Sequence, residues 1–62
     1  MFGLDKVDAA TKWLQAEPGR AIEITYDSNF RVEFDDSGKL TAYGKGDSLM
    51  DALKVALAGL PK

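Results

Sequence analysis

Between residues 22 and 44 apolar and polar side chains alternate with a period of two, and the alternation breaks twice. Ile22, Ile24 and Tyr26 alternate with Glu23 and Thr25; Phe30, Val32 and Phe34 with Arg31 and Glu33; Leu40 and Ala42 with Thr41 and Tyr43. A period of two marks half-buried strands, which places strands at about 21–26, 30–35 and 39–44. The breaks are Asp27-Ser28-Asn29 and Asp36-Ser37-Gly38. Three-residue loops keep the apolar rows aligned. Asn29 and Gly38 then stand where a type I turn with a G1 bulge needs a left-handed residue. A one-residue slip would move a whole apolar row into water. The predicted buried row is therefore Ile22, Ile24, Tyr26, Phe30, Val32, Phe34, Leu40 and Ala42.

Helical periodicity flanks this block. From about Asp5 to Glu17, Leu4, Val7, Ala10 and Leu14 recur on one stripe with Thr11 beside it. Asp5 is the expected N-cap, and Pro18 with Gly19 ends the helix. Phe2, Ala9 and Trp13 fall on a second stripe about 100° away. A second helix is predicted over about 48–58, opened by a capping box from Ser48 to Asp51. Leu49, Met50, Leu53, Ala56 and Leu57 form its broad apolar face. Val55 lies off that face, and a Schellman cap with Gly59 at C′ would bring Leu60 onto it.

The predicted fold is α+β: one small domain over 1–62 with two layers in the order α-β-β-β-α. Both helices cover one face of a three-stranded antiparallel meander. Sixty-two residues lie near the lower limit for independent folding. Cysteine and histidine are both absent, which leaves no disulfide frame, no usual zinc ligand and no usual acid–base group at neutral pH. A composition of 45% hydrophobic and 29% charged residues is that of a folded globular chain.

Charge narrows the range of partners. The net charge is −2, and the eight basic residues are interleaved with carboxylates. A nucleic-acid binder draws its affinity from clustered phosphate contacts, so nucleic acid is not the expected partner. There is no apolar run of membrane-spanning length, no basic amphipathic helix and no signal-peptide pattern. The expected location is cytoplasmic, away from the membrane.

The predicted register also defines the open face of the sheet. Glu23 and Thr41 flank Glu33, while Thr25 and Tyr43 flank Arg31. Facing carboxylates repel and can mark a metal or acid–base site, yet a flat sheet provides no concavity. Neither metal nor cofactor is expected. Arg31 is placed to form a cation–π contact with Tyr43. The serines stand in turns or a cap with no base beside them, so no activated nucleophile is expected. Asp35-Asp36-Ser37-Gly38 lacks the ligand spacing of a calcium loop and reads as a turn. Gly44-Lys45-Gly46 precedes a helix start, where anions can bind, but is too short for a phosphate loop. An enzyme is not expected.

Two resemblances arise at the junction of the third strand and second helix. The αβββα order and Gly44-Lys45-Gly46-Asp47-Ser48-Leu49-Met50-Asp51-Ala52-Leu53 resemble the double-stranded-RNA-binding domain. Ser48 and Ala52 match that family's phosphate-gripping helix start, while Leu49, Met50 and Leu53 replace its lysines. Its long loop between the first two strands is here only Asp27 to Asn29. The resemblance thus implies the architecture without the RNA-binding residues. Gly46-Asp47-Ser48-Leu49 with Asp51-Ala52-Leu53 resembles the strand-to-helix junction of HicB-type antitoxins, a likeness that implies binding to a partner protein.

Phe2, Ala9 and Trp13 form the candidate partner-binding stripe, since exposed large aromatics concentrate at interfaces. The open face (Glu23, Thr25, Arg31, Glu33, Thr41, Tyr43) is the second surface. The strand edges are the third: Ala21 to Tyr26 has no proline and only Glu23 against edge pairing, which favours a homodimer. The expected function is a small non-catalytic protein-binding module, a regulator or inhibitor of a larger macromolecule. The alternatives are a self-associating assembly component and a nucleic-acid binder of the double-stranded-RNA-binding type.

Overall fold

The computed structural model describes residues 4–61, with only the backbone for Leu4. Helix α1 spans Leu4–Ala16, strands β1, β2 and β3 span Arg20–Asp27, Asn29–Asp36 and Lys39–Gly46, and helix α2 spans Leu49–Ala58. The strands form an antiparallel meander in the order β1-β2-β3, with both helices on one face. This is the two-layer α+β arrangement that the alternation predicts. The strands run one or two residues longer than expected at their ends.

The first hairpin has the predicted register, with Ile22 opposite Phe34, Ile24 opposite Val32 and Tyr26 opposite Phe30. Its left-handed residue is Ser28 (φ 69°), rather than the expected Asn29.

The second hairpin differs. Ser37 (φ 55°) and Gly38 (φ 85°) are both left-handed, which makes a two-residue type I′ turn closed by Asp36 and Lys39. That turn alone would set Phe34 opposite Thr41 and turn an apolar row toward solvent. A β-bulge between Phe34 and Asp35 restores the pattern by leaving Thr41 unpaired. Ala42 then faces Phe34 and Gly44 faces Val32. Leu40, predicted to be buried, pairs with Asp35 on the other side of the bulge and is 52% exposed.

Gly44 explains why β3 has this alignment. A Cβ there would lie 2.5 Å from the Ala56 nitrogen and closer still to the Ala52 carbonyl oxygen. One at Gly46 would lie 2.8 Å from the Ala52 nitrogen. Helix α2 therefore rests almost backbone to backbone on β3, with Ala52 and Ala56 fully enclosed. The Gly44-Lys45-Gly46 run ends a strand and serves helix packing. Ser48 caps α2 by accepting a hydrogen bond from the Asp51 N–H, as the capping box predicts. At the other end Gly59 is right-handed (φ −86°), so the expected left-handed Schellman cap does not form. Val55 stays 51% exposed while Leu60 packs against the core.

Val32 and Phe34 are completely buried. The other enclosed side chains among the described residues are Leu53 and four alanines, Ala10, Ala42, Ala52 and Ala56. Small side chains let the layers approach closely, but each seals little apolar area. Helix α1 packs through its second half, with the Trp13 ring 4.9 Å from that of Phe34. Ile22 joins the core there, whereas Ile24 and Tyr26, further along β1, are 54% and 66% exposed. These two predicted core residues are exposed because neither helix covers that stretch of the strand.

Candidate binding surfaces

The proposed partner-binding stripe is divided by the fold. Phe2 lies outside the described residues, Ala9 is exposed, and Trp13 is half-buried against the core. Arg20 holds Trp13 in place. Its guanidinium stacks 4.5 Å above the indole, its Nη1 donates to the Trp13 carbonyl oxygen at 2.8 Å, and its Nε lies 3.2 Å from the Asp36 carboxylate. The last four carbonyls of a helix lack intrahelical partners, so Arg20 satisfies one of these while tying α1 to β1 and β2. The periodicity identified Trp13 as special, but the role of Arg20 depends on a turn that returns the chain beneath the helix.

Turning Trp13 inward leaves Val7 and Leu14, on the other predicted stripe, at the margin of α1. They are 41% and 36% exposed. They line an apolar groove of about 190 Å³, to which β1 contributes Ile22 and Ile24 and α2 contributes Leu49 and Met50. Buried Ala10 and Leu53 lie at its base. Among the described residues Thr11 is the lone polar one in the lining, and its hydroxyl donates back to the Val7 carbonyl oxygen at 2.8 Å. Leu49, Met50 and Leu53, at the lysine positions of the double-stranded-RNA-binding resemblance, thus all line an apolar surface. The sequence marked each residue as apolar; only the spacing between the helices leaves them in a groove.

On the opposite face the bulge regroups the expected residues. Glu23 faces Glu33, and Thr25 faces Arg31, as predicted. Tyr43, however, pairs with Glu33 rather than Arg31, Lys45 pairs with Arg31, and Thr41 is the unpaired bulge residue. The cation–π contact survives diagonally, with Arg31 4.9 Å from the Tyr43 ring. The Arg31 Nε also donates to Glu33 at 2.7 Å.

This face is polarised. Carboxylate oxygens of Glu23, Glu33 and Asp35 lie within 4.8 Å of one another. Toward the first turn, Arg31 and Lys45 with Thr25, Asp27 and Asn29 line a shallow depression of about 270 Å³. The predicted third strand ends at Gly44, one residue short of Lys45, and a three-residue second turn sets Tyr43 rather than Lys45 opposite Arg31. A Ser-Gly pair flanked by strands was the available signal for the shorter turn. Comparison with protein-family models, with curated proteins and with solved structures finds no match to this chain.

Proposed function

We propose that this chain is a small non-catalytic protein-binding module whose binding surface is the groove between α1, α2 and β1. The open apolar groove carries this reading. In a domain of this size, leaving Val7, Leu14 and Ile24 partly exposed around a common depression forgoes stabilisation unless another apolar surface covers it. The occupant that fits is an apolar segment of another protein, an amphipathic helix or strand, since among the described residues Thr11 is the lone polar lining side chain and already bonds its own helix. The reading of the chain as a regulator or inhibitor follows from such a module acting by occupancy rather than by chemistry.

The test is selection of peptides from a random library against the immobilised chain, followed by NMR mapping of the selected binders. The expected shifts centre on Val7, Leu14, Ile24 and Met50, and Leu14→Asp should weaken binding at least tenfold while the sheet resonances persist. Binders that map elsewhere, or are indifferent to Leu14→Asp, would remove the groove from consideration.

A further inference from the structure

We propose that a second copy of this chain pairs antiparallel along the free edge of β1, with the two-fold axis passing through Ile24. β1 has eight residues, no proline and, among the described residues, a single strand neighbour, β2, which leaves its other edge open to pairing. Continuing the sheet with the helices of both copies on one side requires helix-facing residues to meet their own kind. The axis must then pass through a residue rather than between two.

An axis at Ile22 or Tyr26 would leave much of β1 unpaired; among Glu23, Ile24 and Thr25 the charges select one. An axis at Glu23 sets Glu23 directly against its own copy, and one at Thr25 sets Glu23 against the partner's Asp27. Like charges directly opposite destabilise a strand pair. The axis at Ile24 avoids both conflicts: it pairs Ile24 with the partner's Ile24, Ile22 with the partner's Tyr26, and Glu23 with the partner's Thr25. On the helix side, the 54% exposed Ile24 and 66% exposed Tyr26 gain apolar neighbours.

The open face matches as well. Lys45, Arg31 and Thr25 occupy one cross-strand row, and Tyr43, Glu33 and Glu23 the next. Under this axis the basic row of each copy runs into the acidic row of the other, an alignment that the other two axes do not produce. Ile22 and Ile24 belong both to the groove lining and to this pairing, but Glu23 and Thr25 lie on the opposite face, so substitutions there test the pairing without altering the groove.

Sedimentation equilibrium over a wide concentration range, combined with a charge exchange, tests the proposal. Thr25→Glu places carboxylates opposite Glu23 of the other copy at two symmetric sites, and should raise the dimer dissociation constant at least tenfold. Within its own chain the new carboxylate faces Arg31, which supports the fold. Adding Glu23→Lys to Thr25→Glu pairs opposite charges at both sites in this register, whereas an axis at Glu23 or Thr25 would set one of the new charges against its own copy, and it should restore dimerisation. A chain that stays monomeric at millimolar concentration, a dimer indifferent to Thr25→Glu, or failure of the double variant to recover would each overturn the proposal.

Cross-linking provides a second measurement on a chain that contains no cysteine. Directly opposed antiparallel residues have Cα atoms about 4.5–5.5 Å apart, within disulfide range. Ile24→Cys should therefore form a disulfide dimer under mild oxidation. Tyr26→Cys, though more exposed, should not, because its counterpart lies four residues away along the partner strand. Equal cross-linking of the two variants would place the axis elsewhere and reject this pairing.

Discussion

Replacing Gly44 with alanine is the sharpest test of how this domain is held together. The added methyl would lie 2.5 Å from the Ala56 nitrogen and 2.8 Å from the Val55 Cβ, whereas ordinary contact begins at 3.4 Å. Clearing the Ala56 nitrogen alone requires α2 to withdraw by about 1 Å, and clearing the Ala52 carbonyl oxygen requires more. The obstructing atoms are helix backbone, which cannot swing aside as a side-chain tip would. Withdrawal would loosen Ala52, Leu53 and Ala56 against β3 together, and these are three of the seven enclosed apolar side chains among the described residues. Overpacking of a tight core costs about 1–3 kcal/mol, and backbone obstruction places Gly44→Ala near about 3 kcal/mol. A 62-residue domain has a total stability of roughly 3–9 kcal/mol, so much of the native population is at stake. Urea denaturation followed by circular dichroism would measure the loss, and the thermal midpoint should fall by roughly 12–24 °C. A loss below about 1 kcal/mol would refute the claim that α2 lies backbone to backbone on β3.

Two further substitutions separate local roles. Trp13→Ala should cost about 2 kcal/mol, below the range for a fully buried aromatic because the indole is only half-buried; an unchanged denaturation midpoint would return Trp13 to the role of a free interface residue. Gly59→Ala should be neutral or stabilise by up to about 1 kcal/mol, since φ is −86° and the new Cβ would lie 3.5 Å from the Ala56 carbonyl oxygen, an ordinary contact; a clear loss of stability in the same urea titration would show that the helix ends in a left-handed cap after all.

Much of the architecture was legible along the chain because strand and helix periods, caps and turn residues are local properties. The alternation from Ile22 to Phe34 determined the first hairpin down to its residue pairs, since any slip would have exposed an apolar row. Ser48 and Asp51 marked the start of α2 for an equally local reason. The second hairpin escaped because two solutions satisfy its alternation: a three-residue loop, or a two-residue turn followed by a bulge. The distance between β3 and α2 decides between them, since Gly44 rather than a larger residue must pass beneath Ala52 and Ala56.

The binding surfaces follow the same division. Composition alone showed Val7, Leu14, Ile24 and Met50 to be apolar and made them core candidates. Whether they are sealed depends on how far two helices can spread over three strands, a quantity that no local pattern encodes. Trp13 illustrates the converse: its position on a second stripe marked it for exposure, and Arg20 and Phe34 draw it inward instead. The sequence by itself determined the elements, their order, the first hairpin and the absence of thiol and imidazole chemistry. Tertiary structure decided the bulge at Thr41, the pairing of Arg31 with Lys45 and the groove beside α1. Each of these depends on contacts between segments that only packing brings together.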